Sequence, residues 1–237
     1  MALYVIGDTH FSESSDKPMD VFGGAWLNSR QKLLDGFTQT LTEQDTLVLC
    51  GDFSWGMSLP QTLADFQLLD AFPGRKILLK GNHDYWWETV SKMQRFFSEN
   101  HITTIEFLHN NCFFSNGIAL CGTRGWFFDR NDPESAMEEK IFKRELMRLE
   151  ASLQCARQQQ PECEIYCFLH YPPICGGVEM PQITALLKQY GVSRCFYGHL
   201  HGESRRSAFC GEKDGVYYSL ISADAIGFRP IMINNKF

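Results

Sequence analysis

Five short apolar runs in this 237-residue chain each give way to Asp, Asn or His within three residues of their end. Leu3–Ile6 is followed by Gly7-Asp8-Thr9-His10, and Thr46–Cys50 by Gly51-Asp52. Lys76–Leu79 leads into Gly81-Asn82-His83-Asp84. Glu164–Leu169 ends in His170, and Arg194–Tyr197 in Gly198-His199-Leu200-His201. Apolar runs this short have strand length. Helical spacing separates the first of them, with Leu33, Leu34, Phe37 and Leu41 in Arg30–Leu41, and Leu63, Phe66 and Leu69 in Gln61–Ala71. Strand alternating with helix predicts an α/β fold. In such sheets ligands bind beyond the carboxyl ends of the strands, which is where these polar blocks fall.

The rest of the chain refines that expectation. Pro73-Gly74 breaks the chain before the third run. Trp86–Phe97, Pro133–Gln159 and Ile183–Tyr190 read as helices. The second of these has Pro near its start and a charged face of Glu138, Glu139, Lys143, Arg144 and Arg148; the third stops at Gly191. Ile105–Leu108, Cys112–Ser115 and Ile118–Cys121 are separated by Asn and Gly, which predicts antiparallel strands. Val216–Ser222 and Pro230–Ile233 close the chain as strands. The sheet is therefore expected to be mixed, or to be two packed sheets. With no repeat, linker or low-complexity stretch, a single domain over residues 1–237 is expected.

Composition excludes other classes. At 44% hydrophobic and 14% aromatic the sequence is globular, not disordered. No run of about 18 apolar residues points to a membrane span. Met1-Ala2-Leu3-Tyr4-Val5-Ile6 runs into Gly7-Asp8 without a basic leader, so a cytoplasmic location is expected. A net charge of −6 without a basic run argues against stable nucleic-acid binding, although a bound cation can reverse the local sign. Nine cysteines, an odd number with no Cys-x-x-Cys pair, do not make a disulfide framework. Cys50, Cys121, Cys167 and Cys195 lie in strand-like runs and read as buried thiols.

Asp8, His10, Asp52, Asn82, His170, His199 and His201 offer carboxylate, amide oxygen and imidazole but no thiolate. Such donors suit manganese, iron or zinc. Seven are too many for one tetrahedral ion, whereas two ions sharing a bridging carboxylate would use them all. Taken singly, each block has a plainer reading: Gly-Asp after a strand is usually a turn. The joint placement at five strand ends favours a site. Arg124, in a Gly-rich loop after Ile118–Cys121, suits phosphate oxygens, or else a salt bridge to the acids around Asp129–Asp132. Lys17 and Arg205 read as surface charges. Trp26, Trp55, Tyr85, Trp86, Trp87 and Trp126 divide between core and cleft wall. His101 and His109 lie outside every block.

The order Gly-Asp-x-His, Gly-Asp, Gly-Asn-His-Asp, His, Gly-His-x-His resembles the calcineurin-like metallophosphoesterases, from Asp8 to His201. Lys17-Pro18-Met19 with Phe22-Gly23, Tyr85-Trp86-Trp87 and Gly122-Thr123-Arg124-Gly125-Trp126 resemble the small bacterial predicted phosphohydrolases of that superfamily. The resemblance implies two mixed β-sheets packed together and flanked by helices, an αββα sandwich. It implies Asp8, His10 and His201 on a first metal, Asn82, His170 and His199 on a second, and Asp52 bridging. It implies His83 as a general acid and Asp84 as the residue that orients it. The expected reaction is hydrolysis of a phosphate mono- or diester by a metal-activated water or hydroxide. A phosphorylated small molecule or nucleotide is the expected substrate, ahead of a phosphoprotein. A nuclease, a cyclic-nucleotide phosphodiesterase and a non-catalytic binding scaffold are the alternatives.

Overall fold

The structure, a computed structural model, describes residues 1–128 and 135–233. In chain order its elements are β1 (Leu3–Ile6), α1 (Ser29–Thr40), β2 (Thr46–Cys50), α2 (Leu59–Asp70), β3 (Arg75–Leu79), α3 (Val90–Glu99), β4 (Ile105–Phe107), β5 (Cys112–Ser115) and β6 (Ile118–Thr123). There follow α4 (Ser135–Gln159), β7 (Glu164–Leu169), β8 (Ile174–Cys175), β9 (Val178–Glu179), α5 (Pro181–Gln189), β10 (Val192–Tyr197), β11 (Gly211–Lys213), β12 (Val216–Leu220) and β13 (Ile231–Met232). One sheet has the order β13-β1-β2-β3-β4 and the other β11-β12-β10-β7-β6-β5. The central strands of each are parallel, and antiparallel strands close the edges at β13, β11 and β5.

Three apolar layers follow from the period-2 alternation of strand side chains. Leu3, Val5, Val48, Ile77 and Leu79 of one sheet meet Leu120, Tyr166, Phe168 and Phe196 of the other, forming the core between the sheets. Tyr4, Ile6, Leu47 and Leu49 point the opposite way and pack on Leu33, Phe37, Phe66 and Met93 of α1, α2 and α3. Ala119, Cys121, Cys167 and Cys195 pack on Leu149, Leu153, Ile183 and Leu187 of α4 and α5. Strands buried on both faces explain the unbroken apolar runs of the sequence. The four cysteines expected inside strands are all buried, and all nine cysteines are free thiols.

Two expectations change. β4 does not join an antiparallel meander with β5 and β6. It extends the first sheet parallel to β3, reached through α3, because parallel neighbours need a long crossover. The helix expected from Trp86 starts only at Val90, with the Thr89 hydroxyl accepting from the Lys92 amide at its N-terminus. Trp86 is instead held in the loop, its indole N–H donating to Asp84 at 3.0 Å. Pro133 and the Asp129–Asp132 acids lie outside the described residues. Among the described residues no helix is long and apolar enough to cross a membrane.

Candidate active site

The carboxyl edges of the two sheets meet where β1 and β12 end. Gly7 donates to the Ile221 carbonyl at 2.8 Å, and Ala223 donates to that of Gly7 at 2.9 Å. That seam brings the polar blocks of β1, β2 and β3 against those of β7 and β10. Asp8 and His199, 191 residues apart, touch: the His199 amide donates to both Asp8 carboxylate oxygens at 3.0 and 3.1 Å.

The backbone is unusual here for a reason. Asp8, His10, Asp52 and His199 have φ of 59°, 48°, 50° and 72°, a left-handed conformation that most side chains avoid. Hydrogen bonds hold it: the Asp8 amide to the Gly51 carbonyl at 2.9 Å and the His10 amide to the Asp52 carbonyl at 3.0 Å. The glycines preceding the blocks are steric necessities at two points. A Cβ on Gly81 would lie 2.1 Å from Asp52 Oδ1, and one on Gly198 would lie 2.3 Å from Asp8 Oδ2.

All seven ligand candidates converge. Candidate donor atoms of Asp8, His10 and His201 lie within 4.8 Å of one another, as do those of Asp8, Asp52 and His170. His201 Nε2 is 3.3 Å from Asp8 Oδ1. On the other side, Asn82 Oδ1 is 2.6 Å from His170 Nε2 and 2.9 Å from His199 Nδ1. Asp52 Oδ2 lies between, 3.8 Å from His10 Nε2 and 3.5 Å from His170 Nε2.

The electrostatics suit cations. Asp8, His10, Asp52 and His170 are all buried. Burial pushes His10 and His170 below the ordinary histidine value and takes His199 down to about 3, so these rings are neutral and free to donate to a cation. Two carboxylates forced together, Asp8 and Asp52, are costly without a compensating charge. Burial and the Asp8 charge raise Asp52 to about 8. Burial opposes the charge on His201, but Asp8 and Asp224 outweigh it and raise the ring to about 10. Carboxylate, amide and imidazole donors gathered in this buried cluster fit first-row divalent metal chemistry. Because Asp52 and His201 must lose protons to act as ligands, cation binding at neutral pH is expected to release protons. Affinity then rises with pH toward the alkaline range. Calorimetry in buffers of different ionisation enthalpy reads the proton count, and proton uptake would contradict the assignment.

Asp224 was not among the residues picked from sequence. It accepts from the Gly202 amide at 2.9 Å and lies 3.2 Å from His201 Nδ1, turning Nε2 of that ring toward Asp8. Arg205 supports it, with Nη1 donating to the Asp224 carbonyl at 2.8 Å, so Arg205 is no idle surface charge. The signal was available, since Asp224 follows the Val216–Ser222 run at the same sheet edge as the other blocks. On the other ring, His170 Nδ1 faces the Cys50 carbonyl at 3.0 Å, which leaves Nε2 for the site. Asp224→Asn is expected to weaken metal binding by about 10- to 100-fold with the fold retained. Competition against a chelator, together with circular dichroism, checks this.

Two expected roles shift. Asp84 is fully buried and makes no contact with the His83 ring among the described hydrogen bonds. Its carboxylate accepts from the backbone amides of Gly81 (2.7 Å), Asp52 (2.9 Å) and Phe53 (2.9 Å), and from the Trp86 indole. Burial and the neighbouring Asp52 push it up to about 7. Asp84 therefore ties the β2 and β3 loops together rather than orienting the histidine. Among the described residues His83 Nδ1 has no hydrogen-bond partner, and burial holds the ring below its ordinary value instead of favouring the imidazolium. Arg124 takes the salt-bridge alternative with a different acid. It lies 3.5 Å from buried Glu145 of α4 and stacks on Trp126 at 4.6 Å.

The aromatic residues divide as well. Trp86 is core, and Trp26 is buried against His10, His201 and Phe228. Trp55 stacks on His10 at 4.8 Å and lies 4.5 Å from His83. Tyr171, which sequence did not mark, covers His199 at 4.3 Å. His109 lies beside Trp87, and neither it nor exposed His101 belongs to the site.

Known proteins share this fold. Among solved structures, the chain is similar to a protein of unknown function from Aquifex aeolicus, at 16% identity and a TM-score of 0.50, covering 98% of this chain and 95% of that one. It is also similar to the phosphopantetheinyl hydrolase of Mycobacterium tuberculosis, at 14% identity and a TM-score of 0.57, covering 100% and 97%. A Thermus thermophilus protein matches at 12% identity and a TM-score of 0.54, covering 99% and 98%. These likenesses establish the fold. No curated protein matches the chain. The family model for calcineurin-like phosphoesterases matches residues 1–203, so the chain belongs to that family of metal-dependent phosphoric ester hydrolases.

Proposed function

We propose that the protein is a dinuclear phosphohydrolase that cleaves a phosphate mono- or diester of a small molecule or nucleotide. Asp8, His10 and His201 would hold one ion, Asn82, His170 and His199 the other, and Asp52 would join them. The observation that carries this reading is the position of Asp52 Oδ2, within 3.8 Å of an imidazole nitrogen from each ligand group. When bound, the ions would neutralise phosphoryl charge and make a water acidic enough to attack near neutral pH.

The chain's own residues do the rest. The Asp84 latch fixes the two loops that carry Asp52, Asn82 and His83. The backbone amide of His83 donates to Asp52 Oδ1 at 2.7 Å, so the histidine is placed beside the ligand group without being part of it. Its ring lies 5.8 Å from that of His10, and its Nδ1 has no hydrogen-bond partner among the described residues. A phosphoryl anion arriving beside it favours the protonated ring, which then gives its proton to the departing alkoxide. Tyr171 packs on His199, and Trp55 on His10 and His83.

Purified protein reconstituted with Mn, Fe or Zn and analysed for metal tests the reading, with about two ions per chain as the expected content. Asp52→Ala is expected to lose both metal and turnover. A hydrolysis screen of phosphomonoesters, cyclic nucleotides and nucleotide diesters then sorts the substrate class. A phosphopantetheinyl compound belongs in that screen, given the activity named for the mycobacterial neighbour. A wild-type content of zero ions under metal-replete conditions would sink the proposal.

A further inference from the structure

Beside the ligand cluster, on the His83 side, an open groove of about 340 Å³ is lined by Asp16, Lys17, Pro18, Val21, Phe22 and Trp55. Its lining is apolar but for Asp16 and Lys17. Val21 and Phe22 are 74% and 68% exposed, high for large apolar side chains with no structural task. Trp55 forms the end nearest the site, and its ring is fixed. It stacks on His10, lies 4.5 Å from the His83 ring, and its indole N–H donates to Met19 Sδ at 3.2 Å.

We propose that this groove is the subsite for the apolar alcohol portion of an anionic phosphoester. The inference rests on the phosphohydrolase reading of the site. The alcohol would leave from the side where His83 stands, and the Trp55 ring lies against both His83 and His10, 4.5 and 4.8 Å away. An alcohol carrying an alkyl chain would therefore run along Trp55 toward Val21 and Phe22. Lys17 completes the match, with its ammonium 5.4 Å from the centre of the Trp55 ring and 3.9 Å from Met57 Sδ. Its methylenes extend the apolar wall, while its charge draws an anionic head toward the metal ligands. A nucleoside base fits less well, because the groove offers few groups to meet its hydrogen-bonding edge.

The test uses the Mn-reconstituted full chain and the double variant Val21→Ser/Phe22→Ser, which leaves every ligand and His83 in place. Binding of methyl-, propyl- and pentylphosphonate is measured by calorimetry, with turnover of the matching phosphate monoesters and methyl diesters in parallel. For the wild type, affinity is expected to rise about tenfold from methyl to pentyl, short of full burial of the added methylenes because the groove is open. In the double variant the series should flatten to within about twofold, with methylphosphonate bound as before. A flat wild-type series, or an unchanged slope in the variant, overturns the groove assignment. Sloped phosphonate binding with no ester turned over would leave the groove standing and remove the phosphohydrolase reading. Turnover without chain-length dependence would do the reverse.

Discussion

Replacing His83 by alanine is expected to lower kcat on an alkyl phosphoester by about 10²- to 10⁴-fold while leaving the metal content unchanged. The separation of effects follows from geometry. The contact of His83 with the ligand cluster is made by its backbone amide, which donates to Asp52 Oδ1 at 2.7 Å and survives the substitution. In the proposed mechanism the lost imidazole would be the proton donor to an alkoxide, a poor leaving group. An aryl ester departs as a weaker base and should lose far less. A pH profile adds a second readout. The acid works only when protonated, so activity falls as pH rises through the pKa of the ring. Burial lowers that pKa, with His170 and His201 adding to the effect, so the descending limb of kcat/KM is expected below the ordinary histidine range. The alanine variant should lack that limb. Wild-type turnover of the alkyl ester by the variant would remove His83 from the mechanism.

The second large effect is structural. Asp84→Ala should destabilise the fold by about 3 kcal/mol or more, because it leaves several buried donors without an acceptor at about 1–3 kcal/mol each, partly offset by entering water. For a chain of this length that corresponds to a fall in Tm of roughly 6–12 °C. Asp84→Asn is the sharper variant. It keeps the shape, but the amides of Asp52 and Gly81 both donate to Oδ2, and an amide nitrogen turned to either carboxylate position meets a donor. It too should unfold early and bind metal weakly, since the loops that carry Asp52 and Asn82 lose their common anchor. A wild-type Tm for Asp84→Asn would refute the latch.

These two neighbours in sequence show how far local reading reaches. The Asn-His-Asp block correctly marks a strand end at the site, but adjacency suggests that the aspartate serves the histidine. In three dimensions the side chains part. Asp84 turns inward to the β2 loop, some thirty residues earlier in sequence, and His83 stays at the cleft. Arg124 repeats the lesson. Its loop composition suits phosphate, yet the chain delivers buried Glu145 from α4, and the opposite charge within the fold claims the guanidinium. Asp224 is the converse case, an acid at a strand end like the others, passed over because no short motif surrounds it.

What the sequence alone determined is what short-range physics encodes. Doubly buried strands read as unbroken apolar runs, sharp turns require glycine, and metal chemistry requires a particular set of donor types. Those three constraints leave marks within a few residues of each other, so β1, β2, β3, β7 and β10 were legible, as were the seven polar residues that the fold gathers at one edge. The tertiary structure decided which sheet each strand joins, as with β4 beside β3, and where each buried charge finds its partner. Those outcomes depend on contacts between residues far apart in the chain, from the seam of Gly7 with Ile221 to the His199 amide on Asp8. The energy of such a contact exists only once two sheets have packed, and no window of sequence contains both halves of it.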